Sequence, residues 1–245
     1  MADFLLPDWP APENVRALQT LRTGGLSPTP WQSFNLGDHV GDDPARVQGN
    51  RGLLRQHLPA EPAWLTQVHG IATVDAKNAQ KSQIADAAYA RERNAVCVVM
   101  TADCLPVLFC DRAGRVVAAA HAGWRGLAGG VLEATIAAMQ VPSGELMAWL
   151  GPAIGPACFE VGDEVREAFI GSDSAATAAF VPHGTGKWLA DIYDLARRRL
   201  QRAGIDALYG GGLCTVSDEA RFFSYRRDGV TGRMATLIWL AGESV

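Results

Sequence analysis

Three side chains of metal-binding type stand far apart in the chain, each inside a short distinctive string. His69 lies in TQVHG (66–70), Cys104 in TADCLP (101–106) and His121 in HAGWRG (121–126). Two imidazoles and one thiolate suit a zinc ion, and zinc with three protein ligands keeps a fourth position for water or substrate. The residue types therefore indicate a catalytic metal site, provided that the fold brings the three together.

Local sequence leaves a plainer interpretation open. A histidine beside a glycine at a strand end is more often an ordinary surface or core residue, and a thiol between apolar runs is commonly a small buried hydrophobe. The long separations match none of the compact zinc signatures. Position favours the metal, because each of the three follows or interrupts a predicted strand, where a sheet can bring distant residues together.

The elements that must position these residues are short strands and separate helices. Apolar, β-rich runs predict strands at 63–68, 95–100, 106–110, 116–120, 146–150 and 234–240. Helices are predicted from Asp43 until Pro59 and over 131–139, 163–169 and 189–202. Strands and helices do not alternate regularly, so we expect an α+β fold in which residues 1–245 form one domain of mixed β-sheets with interspersed helices.

Composition narrows the class of partner and the compartment. The 245 residues are 48% hydrophobic and 20% charged, with a net charge of -4 and no basic run that would follow a phosphate backbone. Small molecules are therefore expected rather than nucleic acid. The chain shows neither a signal-peptide pattern nor an apolar run of bilayer length, so we expect no membrane association and a cytoplasmic location. Five cysteines without a CxxC pair suit a reducing compartment.

Other motifs in the sequence say less about function. No phosphate-binding loop, HExxH, GxSxG or dinucleotide fingerprint is present in the sequence. Arg125 follows Trp124 and would either clamp an anion or stack on the ring as an ordinary surface pair. Residues 226–228 are interpreted as a solvated or salt-bridged turn. The other cysteines are expected to be structural: Cys97, Cys110, Cys158 and Cys214.

Six strings in order closely resemble the YfiH family. They are FNLG (34–37), TQVHG (66–70), MTADCLP (100–106), AHAGWRG (120–126), GPAIG (151–155) and FSYRRD (223–228). The resemblance implies a mixed α+β fold related to bacterial toxin cysteine deamidases. It also implies one zinc ion held by His69, Cys104 and His121, with copper as a substitute in vitro.

Members of that family carry competing labels: multicopper laccase or polyphenol oxidase, peptidoglycan editing factor, and purine nucleoside phosphorylase with adenosine deaminase activity. A multicopper oxidase needs roughly ten histidines for its copper centres. This chain has five. The histidine count disfavours a laccase, and nucleoside chemistry becomes the expected function.

The resemblance thus implies phosphorolysis of adenosine, inosine or methylthioadenosine, and deamination of adenosine. Cys104, Asp103 and His121 are the expected catalytic residues, with Asp103 carrying the proton to the leaving ammonia. Purine nucleosides and phosphate are the expected partners of a monomer or weak homodimer. Four side chains are expected to contact the substrate: Asn35, Arg51, Gln67 and Arg125.

Two alternatives remain. In the first, His121 activates Cys104 as a nucleophile, with Asp103 or Asn35 as the orienting residue, and the protein hydrolyses a peptide such as a peptidoglycan precursor. In the second, the protein is a non-catalytic editing factor that sequesters a wrongly built precursor. Metal content and turnover distinguish these alternatives from a zinc-dependent nucleoside enzyme.

Overall fold

The computed structural model describes residues 4–80 and 82–242. Its strands, in chain order, are β1 (Phe4–Leu5), β2 (Val15–Thr20), β3 (Leu65–Thr66), β4 (Thr73–Asp75), β5 (Gln83–Ile84), β6 (Ala87–Ala90), β7 (Cys97–Thr101), β8 (Leu105–Asp111), β9 (Val117–Ala122), β10 (Leu146–Leu150), β11 (Glu160–Gly162), β12 (Phe180–Pro182), β13 (Lys187–Ala190), β14 (Ala207–Gly210) and β15 (Met234–Leu240). Its α-helices are α1 (Pro44–Arg55), α2 (Trp124–Gly129), α3 (Val131–Met139), α4 (Asp163–Ile170), α5 (Ile192–Arg202) and α6 (Tyr225–Asp228).

The two larger sheets lie face to face between helices. Four antiparallel strands run in the order β1-β2-β15-β7, and six strands run in the order β14-β10-β8-β9-β6-β4, where the two outer pairs are parallel. Apolar clusters join α1 to the four-stranded sheet, the two sheets to each other, and the six-stranded sheet to α3, α4 and α5. The layers therefore follow the order helix, sheet, sheet, helices, and the predicted α+β class is confirmed. Smaller sheets are β11-β13-β12 and β3-β5.

The inner strands are apolar on both faces because both faces are covered. On β7, Cys97 and Val99 point to the six-stranded sheet, whereas Val98 and Met100 point toward α1. This explains why the sequence shows continuous apolar runs at these strands rather than alternation with polar residues.

Strand β9 of the six-stranded sheet consists mainly of alanine. Its sequence is VAAAHA, and it lies between β8 and β6 with α3 on one face and β7 on the other. Buried methyl groups on both faces let the two neighbouring layers come close. His121 is the one large side chain on this strand.

Helix boundaries follow their capping residues. Asp43 accepts a hydrogen bond from Ala45 N, and Pro44 begins α1 as predicted. The predicted helix 189–202 starts too early, because Asp191 caps α5 and the residues before it belong to β13. The predicted strand 63–68 shortens to Leu65–Thr66. No helix in the described part of the chain combines the length and apolar character needed to cross a bilayer.

Candidate metal centre and adjoining cavities

The three candidate ligands converge. One nitrogen of His69, one nitrogen of His121 and the sulfur of Cys104 all lie within 4.8 Å of one another. The Cys104 Sγ to His69 Nε2 distance is 3.7 Å, and bond lengths typical of tetrahedral zinc place a sulfur and a nitrogen ligand about 3.6 Å apart. The donor set and its spacing therefore fit a zinc ion, with one coordination position left over.

Each ligand stands where a strand begins or ends. His69 follows β3 in a left-handed conformation with φ of 60°. Cys104 lies where the chain passes from β7 in one large sheet to β8 in the other, after Asp103 with φ of 94°. His121 lies near the end of β9, directly opposite Pro106 of β8. The register of β8 and β9 thus places the thiol and the second imidazole at the same sheet edge.

A buried carboxylate, Asp86, connects two of the ligands. Its Oδ1 accepts hydrogen bonds from His69 N at 2.9 Å and from His121 Nδ1 at 2.9 Å, and its Oδ2 accepts from Gly70 N at 2.7 Å and Val68 N at 3.2 Å. The bond to Nδ1 leaves Nε2 of His121 for a metal. Carboxylates in this outer position fix the tautomer and orientation of ligating histidines.

Charges at the site support a thiolate ligand. Burial alone would raise the pKa of Cys104, but attraction and hydrogen bonding to His121, helped by His69, lower this pKa to about 6. Burial would lower the pKa of His121, but the Cys104 thiolate and Asp86 raise it to about 9. In the metal-free protein these two residues therefore form an ion pair, and a cation can replace the imidazolium proton.

Two cavities meet at the ligand group. The first, here called the polar cavity, has a volume of about 410 Å³. Its walls are His39, Gln67, His69, Met100, Thr101, Ala102, Cys104, His121, Tyr225 and Arg233. It combines one half-buried guanidinium, that of Arg233, with imidazole, amide and hydroxyl groups.

The second, here called the aromatic cavity, has a volume of about 270 Å³. Its walls are His69, Ala102, Asp103, Cys104, Trp124, Arg125, Ile154, Phe159, Ile192, Tyr225 and Arg226. The two cavities share His69, Ala102, Cys104 and Tyr225. A ligand lying in both would pass directly over the metal-binding group.

Known proteins share this sequence and fold. Residues 16–241 match the family described as multi-copper polyphenol oxidoreductase laccase. A Pseudomonas aeruginosa protein named purine nucleoside phosphorylase is 56% identical, covering 98% of this chain and 99% of its own. An Escherichia coli protein, purine nucleoside phosphorylase YfiH, is 53% identical over 98% of this chain and 100% of its own. The chain belongs to the YfiH family.

Solved structures agree with this assignment. The crystal structure of a Neisseria meningitidis protein is 56% identical, covers 98% of this chain and 99% of its own, and superposes with a TM-score of 0.95. YlmD from Geobacillus stearothermophilus is 31% identical, covers 94% and 93% of the two chains, and gives a TM-score of 0.87. The predicted membership is confirmed, and the fold is that of YfiH proteins.

Of the predicted substrate contacts, Gln67 and Arg125 line the cavities of this YfiH protein. The Gln67 side chain donates to Met100 O at 2.8 Å and accepts from Met100 N at 2.7 Å, which fixes its position in the wall of the polar cavity. Arg125 lines the aromatic cavity with its guanidinium 4.4 Å from the centre of the Trp124 ring.

The other two predicted contacts, Asn35 and Arg51, lie outside the walls of both cavities. Asn35 is fully buried, and its Oδ1 accepts from Arg233 N at 2.9 Å. Arg51 donates twice to Leu36 O and lies 4.1 Å from the centre of the Trp64 ring. Asn35 therefore reaches the polar cavity only through Arg233.

Asp103, the predicted proton carrier, lines the aromatic cavity. Its Oδ1 accepts from the Thr215 hydroxyl at 2.6 Å and its Oδ2 accepts from Arg226 N at 2.6 Å. These two hydrogen bonds connect the segments that contain Asp103, Thr215 and Arg226, which are far apart in the sequence, next to Cys104. Each carboxylate oxygen keeps one further lone pair for a proton.

Several site residues escaped the sequence analysis. Asp86 is the isolated carboxylate of the apolar run IADAAYA (84–90), and that isolation was its only signal. Arg226 belongs to the segment 226–228, interpreted from the sequence as a turn, and Tyr225 directly precedes that segment. Both lie in α6 and line the aromatic cavity. Arg233 belongs to no recognised string. For His39 the sequence leaves two interpretations open, a pocket wall or a turn histidine without a ligand role, and in the structure it lines the polar cavity.

Proposed function

We propose that this YfiH protein is a zinc-dependent purine nucleoside enzyme that phosphorolyses adenosine, inosine and methylthioadenosine and deaminates adenosine. One observation carries the proposal: a His-Cys-His group fit for zinc lies where an aromatic cavity and a polar, arginine-bearing cavity meet. The relatives' name, purine nucleoside phosphorylase, supports the phosphorolysis in this proposal. Residues 1–245 would act as one cytoplasmic catalytic domain, monomeric or weakly dimeric.

The aromatic cavity would hold the purine. Trp124 and Phe159 supply aromatic wall, and each carries a guanidinium over its ring: Arg125 at 4.4 Å from the Trp124 centroid and Arg226 at 5.7 Å from the Phe159 centroid. Tyr225, which is 60% exposed, stands in both cavities and would cover the ribose between them. This placement puts the glycosidic bond near the ligand group.

The polar cavity would hold phosphate. Arg233 supplies the one guanidinium in the wall of this cavity. Its Nη1 donates to Thr231 O and Gly232 O, which fixes the orientation of the guanidinium. The other N–H groups of Arg233 are then left for an anion. We assign phosphate to Arg233 rather than Arg51, because the guanidinium of Arg51 is engaged by Leu36 O and Asp38. Asn35 would act as a positioning residue for Arg233.

His69, Cys104 and His121 would hold the zinc ion, which supplies a Lewis acid beside the bound nucleoside. Asp86 keeps Nε2 of His121 directed at the ion. Asp103 would take the proton that must move to the leaving ammonia in deamination. Because phosphorolysis acts at C1′ and deamination at C6, on opposite sides of the purine, the two reactions require two orientations of the base.

Turnover assays test this proposal. Zinc-loaded protein is incubated with inosine, adenosine or methylthioadenosine, with and without phosphate. The products measured are the free base, ammonia and the sugar 1-phosphate, which is ribose 1-phosphate from inosine or adenosine and 5-methylthioribose 1-phosphate from methylthioadenosine. Release of the base should require phosphate. Release of ammonia from adenosine should occur without phosphate. Cys104→Ser should lose zinc and both activities, while Cys158→Ser, which changes a thiol outside the site, should keep them. Full turnover by a zinc-free Cys104→Ser protein would refute the metal-centred mechanism.

A second candidate rests on the same side chains without metal. Cys104, His121 and Asp86 form the order thiolate, imidazole, carboxylate that cysteine hydrolases use, with Asp86 in the orienting position expected of Asp103 or Asn35. If metal-free protein cleaves a peptidoglycan peptide and loses that activity when Cys104 is alkylated, the hydrolase is correct. If zinc removal abolishes all turnover, the nucleoside enzyme is correct.

A further inference from the structure

A pair of half-buried cysteines, Cys214 and Cys158, lies outside the metal group. Three donors converge on the sulfur of Cys214: Gly155 N at 3.3 Å, Ser217 N at 3.4 Å and the Ser217 hydroxyl at 3.3 Å. The same hydroxyl lies 3.6 Å from the sulfur of Cys158. The two thiols are thus separated by a single exposed serine side chain that can rotate away.

These donors change the chemistry of one thiol. Burial would raise the pKa of Cys214, but the hydrogen bonds from Ser217 and from backbone N–H groups lower it below the ordinary value. In the core, burial and to a smaller extent the nearby Asp111 raise the pKa of Cys110 to about 12, and burial together with Asp75 raises the pKa of Cys97. Reactive cysteines combine thiolate character with access to solvent, and Cys214 has both.

We propose that Cys214 is a peroxide-reactive thiolate and that Cys158 is the resolving thiol that converts its oxidised form into a disulfide. The Cys214 thiolate attacks one oxygen of hydrogen peroxide, the O–O bond breaks, and the released hydroxide takes up a proton to form water. The sulfur becomes a sulfenic acid, oxidised by two electrons as the peroxide is reduced. Cys158 then attacks that sulfur, the S–O bond breaks, and water leaves with the Cys158 proton.

The surroundings fit a redox pair rather than two structural thiols. Structural cysteines in this protein, such as Cys97, are fully buried among apolar side chains. Cys214 instead sits in a loop after β14 with three polar donors. A sulfenic acid there would keep these donors, which stabilise its oxygen or sulfur until the second thiol arrives.

Peptide mass spectrometry of the zinc-loaded full-length protein tests the proposal. After a pulse of hydrogen peroxide and alkylation of the remaining thiols, we expect a linked peptide that joins Cys158 to Cys214, whereas Cys97 and Cys110 stay reduced. In Cys158→Ser, where no resolving thiol remains, dimedone should label Cys214. Ser217→Ala removes the exposed hydroxyl donor and should slow oxidation of Cys214 several-fold.

Three outcomes would overturn the assignment. The first is that Cys214 stays reduced in the wild-type protein after the peroxide pulse. This outcome does not depend on the folding of any variant. In Cys158→Ser, dimedone could label Cys214 no faster than it labels reduced glutathione exposed to the same peroxide pulse, which would show that Cys214 is not a specially reactive thiolate. A labelled Cys214 without any linked peptide in the wild type would remove the resolving role of Cys158.

Discussion

Replacing Asp86 by asparagine should weaken the metal centre without touching a ligand. Asparagine keeps one oxygen and puts an NH₂ group in place of the other. If NH₂ replaces Oδ2 it faces the N–H groups of Val68 and Gly70, and if it replaces Oδ1 it faces His69 N and the ring of His121. Either way two N–H donors lose their acceptor, and the backbone donors among them are only partly buried.

The magnitude follows from those contacts. An unsatisfied buried donor costs about 1–3 kcal/mol. Because the backbone donors to Asp86 are only partly buried, each should cost an amount near the lower limit, and Asp86→Asn should lower the free energy of unfolding by about 2 kcal/mol. Zinc affinity should fall about 10- to 100-fold, the usual effect of losing a carboxylate behind a ligating histidine. Thermal denaturation measures the first quantity, and competition with a chromophoric chelator measures the second.

Asp111 offers a matched control for this experiment. It is also fully buried and accepts backbone hydrogen bonds, from Arg115 N and Val116 N, but it ends β8 at the opposite end from Cys104. Asp111→Asn should therefore lose stability and keep its zinc affinity. If Asp86→Asn binds zinc as tightly as the wild type, Asp86 does not hold the ligands and the reasoning fails.

Three further predictions concern the site itself. In metal-free protein Cys104, with its pKa of about 6, should react with iodoacetamide at a rate that is constant above that pH and falls below it, and added zinc should protect it. Cys97, whose thiol is fully buried and whose pKa is raised, should stay unreacted, and equal rates for the two thiols would contradict the prediction. Gly123→Ala puts a Cβ 3.0 Å from the Cys104 sulfur and should reduce zinc affinity in a chelator titration, whereas Gly52→Ala, with open space around it, should not. Arg233→Gln should raise the KM for phosphate and change the KM for inosine little, and the reverse pattern in steady-state kinetics would move phosphate to the other cavity.

The convergence of the metal-binding group could be predicted because its members stand at strand ends. His69 follows β3, Cys104 precedes β8 and His121 lies near the end of β9. Asp86 could not be predicted in the same way. Its four hydrogen-bond donors come from segments 16 to 35 residues away in the chain, and no local period or motif carries that information.

Helices show the same division between local and long-range causes. α1 begins where Asp43 and Pro44 predict, because capping is a local interaction. α2 was not anticipated, since glycines at 126 and 129 give its segment little helix propensity. Burial of Leu127 against the six-stranded sheet supplies what the local sequence lacks.

The alanines of β9 limit how this protein can vary. Because side chains alternate between the two faces of a strand, an extra methylene at any of these alanines would press on one of the two covering layers and would move the edge of the sheet that carries the site. Side chains around the cavity mouths, such as Tyr225, are exposed to solvent and are not constrained by packing between two layers. Changes in substrate preference should therefore accumulate at the rim, while the alanine strand acts as a fixed spacer that sets the distance between its two covering layers.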